Sequence, residues 1–179
     1  SRSSWWDCCA ASGGKSLLLL DKEPNIKLLV SDLRLSILRN LEERFENAGI
    51  NTYYRKKILD LSKPVGHIMG EERFDGILVD VPCSGSGTWG RTPEMLQKFN
   101  AGDIKNFSIL QKQIVKNVIP YLKPGGTFIY ITCSVFAAEN EEISQYIVEQ
   151  FGLEIEDQHN IIGYDKKADT MFVARFKKP

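Results

Sequence analysis

Apolar and polar positions fall into short blocks along the chain, and the blocks read as strands and helices in turn. Trp5–Cys9, interrupted by Asp7, is an apolar run that stops at the small-residue turn Ala10-Ala11-Ser12-Gly13-Gly14-Lys15, after which Leu17–Leu20 begins a helix. Ile26–Val30 is continuously apolar, as expected of a strand covered on both faces. From Leu33 to Ala48, apolar residues at Leu33, Ile37, Leu38, Leu41, Phe45 and Ala48 keep helical spacing, and Gly49 suits the C-cap. Thr52–Ile58 is a less regular strand, whereas Phe74–Val79 is strongly apolar and ends at Asp80. A glycine-rich loop leads to a helix expected over Asp103–Tyr121. Lys123-Pro124-Gly125-Gly126 then turns the chain into the strand Thr127–Thr132. A helix over Glu139–Gln150 and strands at Leu153–Ile155 and Met171–Phe176 complete the pattern.

Strands and helices alternating through short loops predict a parallel sheet with helices on both faces. Such sheets bind ligands at the carboxyl ends of their strands, where the strand order reverses. The chemically capable residues fall at those ends. Asp7 and the Gly13-Gly14 turn follow the first strand, Asp32 the second, Asp80 to Cys83 the fourth and Cys133 the fifth.

Composition narrows the setting. The 179 residues suffice for one domain with a core, and 42% hydrophobic with 26% charged residues is ordinary for a globular chain. No apolar stretch approaches the ~18 residues of a membrane span, and the first residues lack the order of an export signal. Four scattered cysteines with no CxxC pair and only His67 and His159 beside them argue against a disulfide scaffold and a zinc site. Reduced thiols make the cytoplasm the expected compartment. With 23 basic and 23 acidic residues the formal net charge is zero. A protein holding RNA alone usually shows a basic excess, so either the basic residues cluster or another region holds the nucleic acid.

Three constellations carry chemistry. Asp7 to Ser16 is a strand, a tight turn and a helix start, where glycines admit a ligand to the backbone and free N–H groups attract an anion; any strand-to-helix junction could look the same. Gly14-Lys15-Ser16 also matches the end of a nucleotide-phosphate loop, although Cys9 stands where that loop needs its first glycine. Asp32, seventeen residues beyond Lys15, could accept both hydroxyls of a ribose or cap the following helix. Gly85-Ser86-Gly87-Thr88-Trp89-Gly90 matches GxGxxG formally, but it follows a later strand and runs into Pro93. Asp80-Val81-Pro82-Cys83-Ser84-Gly85 and Thr132-Cys133-Ser134 are the stronger signal, because each sets a cysteine just beyond a buried strand. A lone cysteine there would most simply be an inert core residue; two at neighbouring strand ends, one beside an aspartate, favour chemistry. Cys8 and Cys9 are expected inside the first strand as core residues, with Cys9 able to touch a ligand.

On these residues the chain resembles the Sun (Fmu, RsmB-like) family of S-adenosylmethionine-dependent RNA cytosine-5 methyltransferases. The family turn DxCAAPGGKT is matched by Asp7 to Ser16, and DAPCSGxG followed by Arg-x-Pro-Asp/Glu is matched by Asp80 to Gly87 and Arg91-Thr92-Pro93-Glu94. Gln111, the Lys123–Gly126 turn, Thr132-Cys133-Ser134 and Glu139-Asn140-Glu141 follow in the family's order over nearly the whole chain. Ser12 replaces a proline, Val81 an alanine and Gly90 an arginine, and Ile37 stands where an arginine is frequent.

The resemblance implies a Rossmann-like class I methyltransferase fold, with a mostly parallel seven-stranded sheet, helices on both faces and an antiparallel last strand. It implies one catalytic domain over residues 1–179, without the N-terminal RNA-binding region usual in the family, which would also account for the neutral charge. Cys133 would be the nucleophile toward cytosine, Cys83 would assist product release, and Asp80 would bond the base edge. S-adenosylmethionine would meet Cys9, Ala10, Ala11, Ser12, Gly13, Gly14, Lys15 and Asp80, with Asp32 on its ribose and Asp60 near its adenine. The implied partner of this monomer is single-stranded or locally opened RNA, ribosomal RNA first, with no metal and no membrane. Two other readings stay open: a non-catalytic ribosome-assembly module and a nucleotide hydrolase.

Overall fold

The apolar blocks become seven strands of one sheet in a computed structural model, which describes residues 2–179. The strands are β1 (Ser4–Asp7), β2 (Lys27–Asp32), β3 (Tyr54–Ile58), β4 (Phe74–Asp80), β5 (Leu122–Thr132), β6 (Glu154–Ile161) and β7 (Met171–Lys177). Their order is β3-β2-β1-β4-β5-β7-β6. β1 pairs in parallel with both β2 and β4, and β4 with β5, while β7 runs antiparallel to β5 and β6 antiparallel to β7. The order reverses at β1 and β4. The carboxyl ends of these two strands therefore open a crevice between loops that leave in opposite directions.

The six helices are α1 (Gly14–Lys22), α2 (Leu35–Asn47), α3 (Gly66–Met69), α4 (Glu94–Lys98), α5 (Ala101–Val118) and α6 (Glu141–Phe151). Leu20 of α1 and Leu38, Leu41 and Phe45 of α2 pack with Leu28 and Val30 in one apolar cluster. Ile114, Val115 and Val118 of α5 and Ile143 and Ile147 of α6 pack in another, with Phe128, Tyr130, Phe172 and Phe176 of the sheet. α2 ends as its sequence predicts. Gly49, at φ 66°, donates to the Glu46 carbonyl and Ile50 donates to that of Phe45, which is the Schellman arrangement.

Several boundaries differ from the sequence pattern, each for a physical reason. β1 stops at Asp7, so Cys8 and Cys9 lie in the turn: Cys8 N still donates to Leu78 O, but Ala10 N then bends to Ser31 O. α1 starts at Gly14 rather than Leu17, because Gly13 supplies the left-handed entry at φ 81°. α5 starts two residues before Asp103, because Asn100 and Asp103 form a capping box. Lys123–Gly126 lies inside β5 as a bulge between the pairs Phe74–Leu122 and Gly76–Thr127, held by Gly125 N to Lys178 O.

Gly13 also meets α2 closely: a Cβ there would lie 2.7 Å from Leu41 Cγ and 2.9 Å from Phe45 Cε1. Gly13→Ala combines a strained φ with a core overlap. It is expected to lower unfolding free energy by about 1–3 kcal/mol, read as a lower urea midpoint with unchanged slope.

Candidate functional site

The crevice at the switch point is a cleft of about 610 Å³. Cys9, Ala11, Asp32, Asp60, Asp80, Cys83 and Cys133 all line it, together with apolar walls from Leu33, Leu59, Leu61, Leu110 and Ile114. A second hollow of about 580 Å³ adjoins it, sharing Cys9, Ala11 and Asp80 and adding Ala10, Ser12, Gly14 and Lys15. Gly13 lines neither; its α-carbon faces Leu41 and Phe45. The fold thus gathers nearly every residue singled out in the sequence at one end of the sheet.

The turn after β1 is held open by Asp32. Its Oδ2 accepts from Ala11 N at 3.1 Å, where Ala11 is itself left-handed at φ 47°. Its Oδ1 accepts from Arg34 N at 3.0 Å and Arg34 Nε at 3.2 Å. Arg34, not Asp32, occupies the N-cap position of α2, so the capping reading of Asp32 is corrected: it stands two residues before the N-cap and accepts from the N-cap's own N–H. Asp60 accepts from Ser62 N and Oγ, and that hydrogen bonding holds its carboxyl below the usual range.

The two loop cysteines meet. Cys83 Sγ and Cys133 Sγ are 3.2 Å apart, although fifty residues separate them in sequence. The shared contact, in which either thiol can donate, sets them apart in acidity: it holds Cys133 below the usual thiol range and, with burial, pushes Cys83 well above. Burial and the Asp80 carboxylate oppose ionisation of Cys133, and the Lys15 ammonium favours it. Lys15 Nζ pairs with Asp80 Oδ2, drawing a cation from α1 to the end of β4. Burial raises the Asp80 carboxyl, and this ion pair works against the rise. The groups that favour ionisation of Cys133 are a neighbouring thiol and a lysine, and neither histidine lines the cleft.

The nucleotide-phosphate reading of Gly14-Lys15-Ser16 is lost in the same contacts. Lys15 is engaged by Asp80, and the fully buried Ser16 hydroxyl donates to Asp7 at 2.6 Å, away from any bound phosphate.

What fixes the cysteine loops is mostly invisible in the sequence. Glu139 is fully buried and accepts from Ser84 N (2.8 Å), Ser84 Oγ (2.6 Å), Gln111 Nε2 (3.0 Å) and Ser134 Oγ (2.5 Å). Ser84 and Ser134 each follow a cysteine. Gly87 N donates to Cys133 O at 2.8 Å, and a Cβ on Gly87 would lie 2.0 Å from Thr170 O. That close approach explains the second glycine of Gly85-Ser86-Gly87, which bridges β4, β5 and β7 loops rather than a dinucleotide. In the sequence Gln111 and Glu139 stand out only as points of resemblance, since nothing local ties them to the thiols. Among the described residues, no three His, Cys, Asp or Glu side chains group as a metal site, and no helix is long and apolar enough to cross a membrane.

Comparison with known proteins agrees with this geometry. A family model described as 16S rRNA methyltransferase RsmB/F matches residues 1–177. The ribosomal RNA small subunit methyltransferase B of Shewanella oneidensis is 35% identical over 142 residues, which are 79% of this chain and 32% of that protein. That of Enterobacter sp. (strain 638) is 36% identical over 136 residues, 76% of this chain and 31% of that protein. The chain thus spans about a third of the length of these curated relatives. A solved structure described as PH0851 superposes with a TM-score of 0.89 over 98% of this chain and 42% of its own, at 26% identity. NSun6 from Pyrococcus horikoshii, solved with SFG, shares the fold at TM-score 0.86 and 20% identity, over 98% of this chain and 48% of its own. The sheet is that of the Rossmann-like class I methyltransferases, with the antiparallel β7 expected from the sequence.

Beneath the turn lies one buried acid whose titration reports on the site. Asp7 is fully buried; Oδ2 takes the Ser16 hydroxyl, while Oδ1 has no partner. Burial pushes its carboxyl up to about 7; the Ser16 bond opposes this and the Asp80 charge adds to it. With a folded-state pKa above the unfolded value, the folded state holds the proton more tightly. The associated stability is complete below about pH 4 and lost as pH rises through about 7. Asp7→Asn is expected to remove this component of the slope between pH 5 and pH 8, measured as the difference in urea-unfolding free energy at the two values.

Proposed function

The chain belongs to the RsmB/F family of 16S rRNA methyltransferases, and from that premise we propose that it transfers a methyl group from S-adenosylmethionine to carbon 5 of a cytosine in ribosomal RNA. The observation that carries this reading is the Cys83–Cys133 pair, 3.2 Å apart beside Asp80 and Lys15. Most methyl acceptors need only a base or correct placement. Cytosine carbon 5 is too weak a nucleophile for that and needs a covalent activator.

The cleft fits the donor. Its apolar walls suit a purine, the carboxylate of Asp32 at the end of β2 suits ribose hydroxyls, and Asp60 lies on the wall beside Leu59 and Leu61. Cys9 to Lys15 would border the amino-acid end, with Gly13 shaping the turn behind it. The donor supplies an electrophilic methyl group on a positively charged sulfur, which acidic neighbours favour.

The chain's own residues would do the rest. Cys133, the more acidic thiol, adds as thiolate to carbon 6, moving electron density to carbon 5. Asp80, lining the cleft beside the thiols and paired with Lys15, would meet the base edge, and the Lys15 ammonium would stabilise the charge that develops there. After methylation a base takes the carbon-5 proton with Cys83 assisting, the electrons of that bond restore the 5,6 double bond, and the carbon–sulfur bond breaks to return Cys133 as thiolate. The base must leave any stack to reach the thiols, so single-stranded or locally opened RNA is the expected substrate.

The test is a trapped adduct. The full-length protein with Cys83→Ala, expressed in cells, is expected to give an RNA-linked, slowly migrating species on denaturing gels that disappears with nuclease. Adding Cys133→Ala should remove it and lower methyl transfer at least about a thousandfold. No such species, with methylation intact in the unmutated protein, would reject the roles given to the two cysteines. No species and no methylation by any form would favour a non-catalytic RNA-binding role.

A further inference from the structure

The geometry points to Glu139 as a positioning residue that clamps the two cysteine loops together and so sets the distance between the thiols. This rests on the two-thiol reading above, but it concerns how the pair is built.

Glu139 sits just before α6, on a turn fixed by Glu139 N to Phe136 O and Asn140 N to Ala137 O. Its side chain is fully buried, yet it makes no salt bridge among the described residues. A buried carboxylate without a cation is costly unless donors replace its water. Here they do so completely. Oε1 takes Ser84 N and Gln111 Nε2, and Oε2 takes the hydroxyls of Ser84 and Ser134.

The placement of those donors is the informative part. Ser84 belongs to the loop leaving β4 and Ser134 to the loop leaving β5, each one residue past its cysteine. Parallel pairing ends at Asp80–Ile131, so past that point the ladder no longer fixes the spacing of the loops. One carboxylate bonds both. Gln111 ties the same carboxylate to Pro82 O, and Tyr130 OH donates to Glu139 O at 2.6 Å, anchoring the clamp to α5 and β5. Asn140 Nδ2 holds Ser134 O at 2.8 Å from the same turn. A purely structural acid would not need to select the residue after each reactive thiol.

Glutamine can keep this geometry. Its oxygen accepts from Ser84 N and Gln111, and its amide can donate to both hydroxyls, which rotate to accept. Alanine removes all four bonds. The test is site-resolved alkylation of Cys133 with iodoacetamide across pH, in the full-length protein without RNA, read by peptide mass spectrometry. The charged and titratable groups around the pair are Lys15 from α1, Asp80 from β4, Tyr130 from β5 and Arg91 from the intervening loop, all unchanged, and Glu139 itself, whose carboxyl both the alanine and the glutamine variants remove, so that only their geometry differs.

With Glu139→Ala the thiols are expected to separate and the alkylation midpoint to rise by about one pH unit. The kcat for methyl transfer should fall about a hundredfold with KM for S-adenosylmethionine little changed. Glu139→Gln should recover most of both. Should the alanine variant not fold, Ser84→Ala with Ser134→Ala removes both hydroxyl donors and is expected to move the midpoint the same way. A folded Glu139→Ala, or the folded serine pair, with the parent midpoint would overturn the clamp. Because alkylation needs no RNA, that result is separable from failure of the methyltransferase reading, which would leave the midpoint shift in place.

Discussion

Asp80 and Ile131 face each other at the end of two parallel strands, and the chemistry of the site follows from that register. Parallel strands deliver their carboxyl ends to the same edge, so the residues three beyond Asp80 and two beyond Ile131 emerge side by side. A slip of one residue would turn Phe128 and Tyr130 out of the core and carry Cys133 to the wrong face. The register is secured by β4 and β5 both being central, with β1 on one side and β7 on the other. The paired thiols are thus a consequence of sheet topology, refined by the loops.

Electrostatics then divides labour between groups of the same kind. Three aspartates end β1, β2 and β4, and each has a different neighbour. Asp7 is buried with one hydroxyl, Asp32 receives backbone and Arg34 donors, and Asp80 meets Lys15. The two cysteines are likewise distinguished by their mutual contact and by the ammonium of Lys15 beside Cys133. Environments that push like groups apart in acidity are how a site assigns acid, base and nucleophile.

Much of this was legible in the sequence where local pattern and burial coincide. β2 and β4 each carry an apolar block, Leu28–Val30 and Ile77–Val79, because both faces are covered, and α2 shows its helical stripe and its C-terminal glycine. β6 was seen only at its start, because an edge strand of Glu, Asp, Gln, His and Asn exposed to water has no apolar signature. α3 and α4, of four and five residues, are too short to show a period. In the site, cysteines and aspartates at strand ends could be picked out from position alone. The Lys15–Asp80 pair, the bond of Glu139 to Ser84 and the contact of Gly87 with Thr170 could not, since each joins segments more than fifty residues apart.

The role proposed for this thiol pair is methylation of a ring carbon. RNA carrying deuterium at carbon 5 of cytidine, incubated with the full-length protein and S-adenosylmethionine and digested to nucleosides, tests it most directly by mass spectrometry. The expected product is 5-methylcytidine as the methylated nucleoside, with the deuterium lost in step with methyl gained. Methylation of a ring or exocyclic nitrogen or a ribose oxygen, with the deuterium retained, would contradict it.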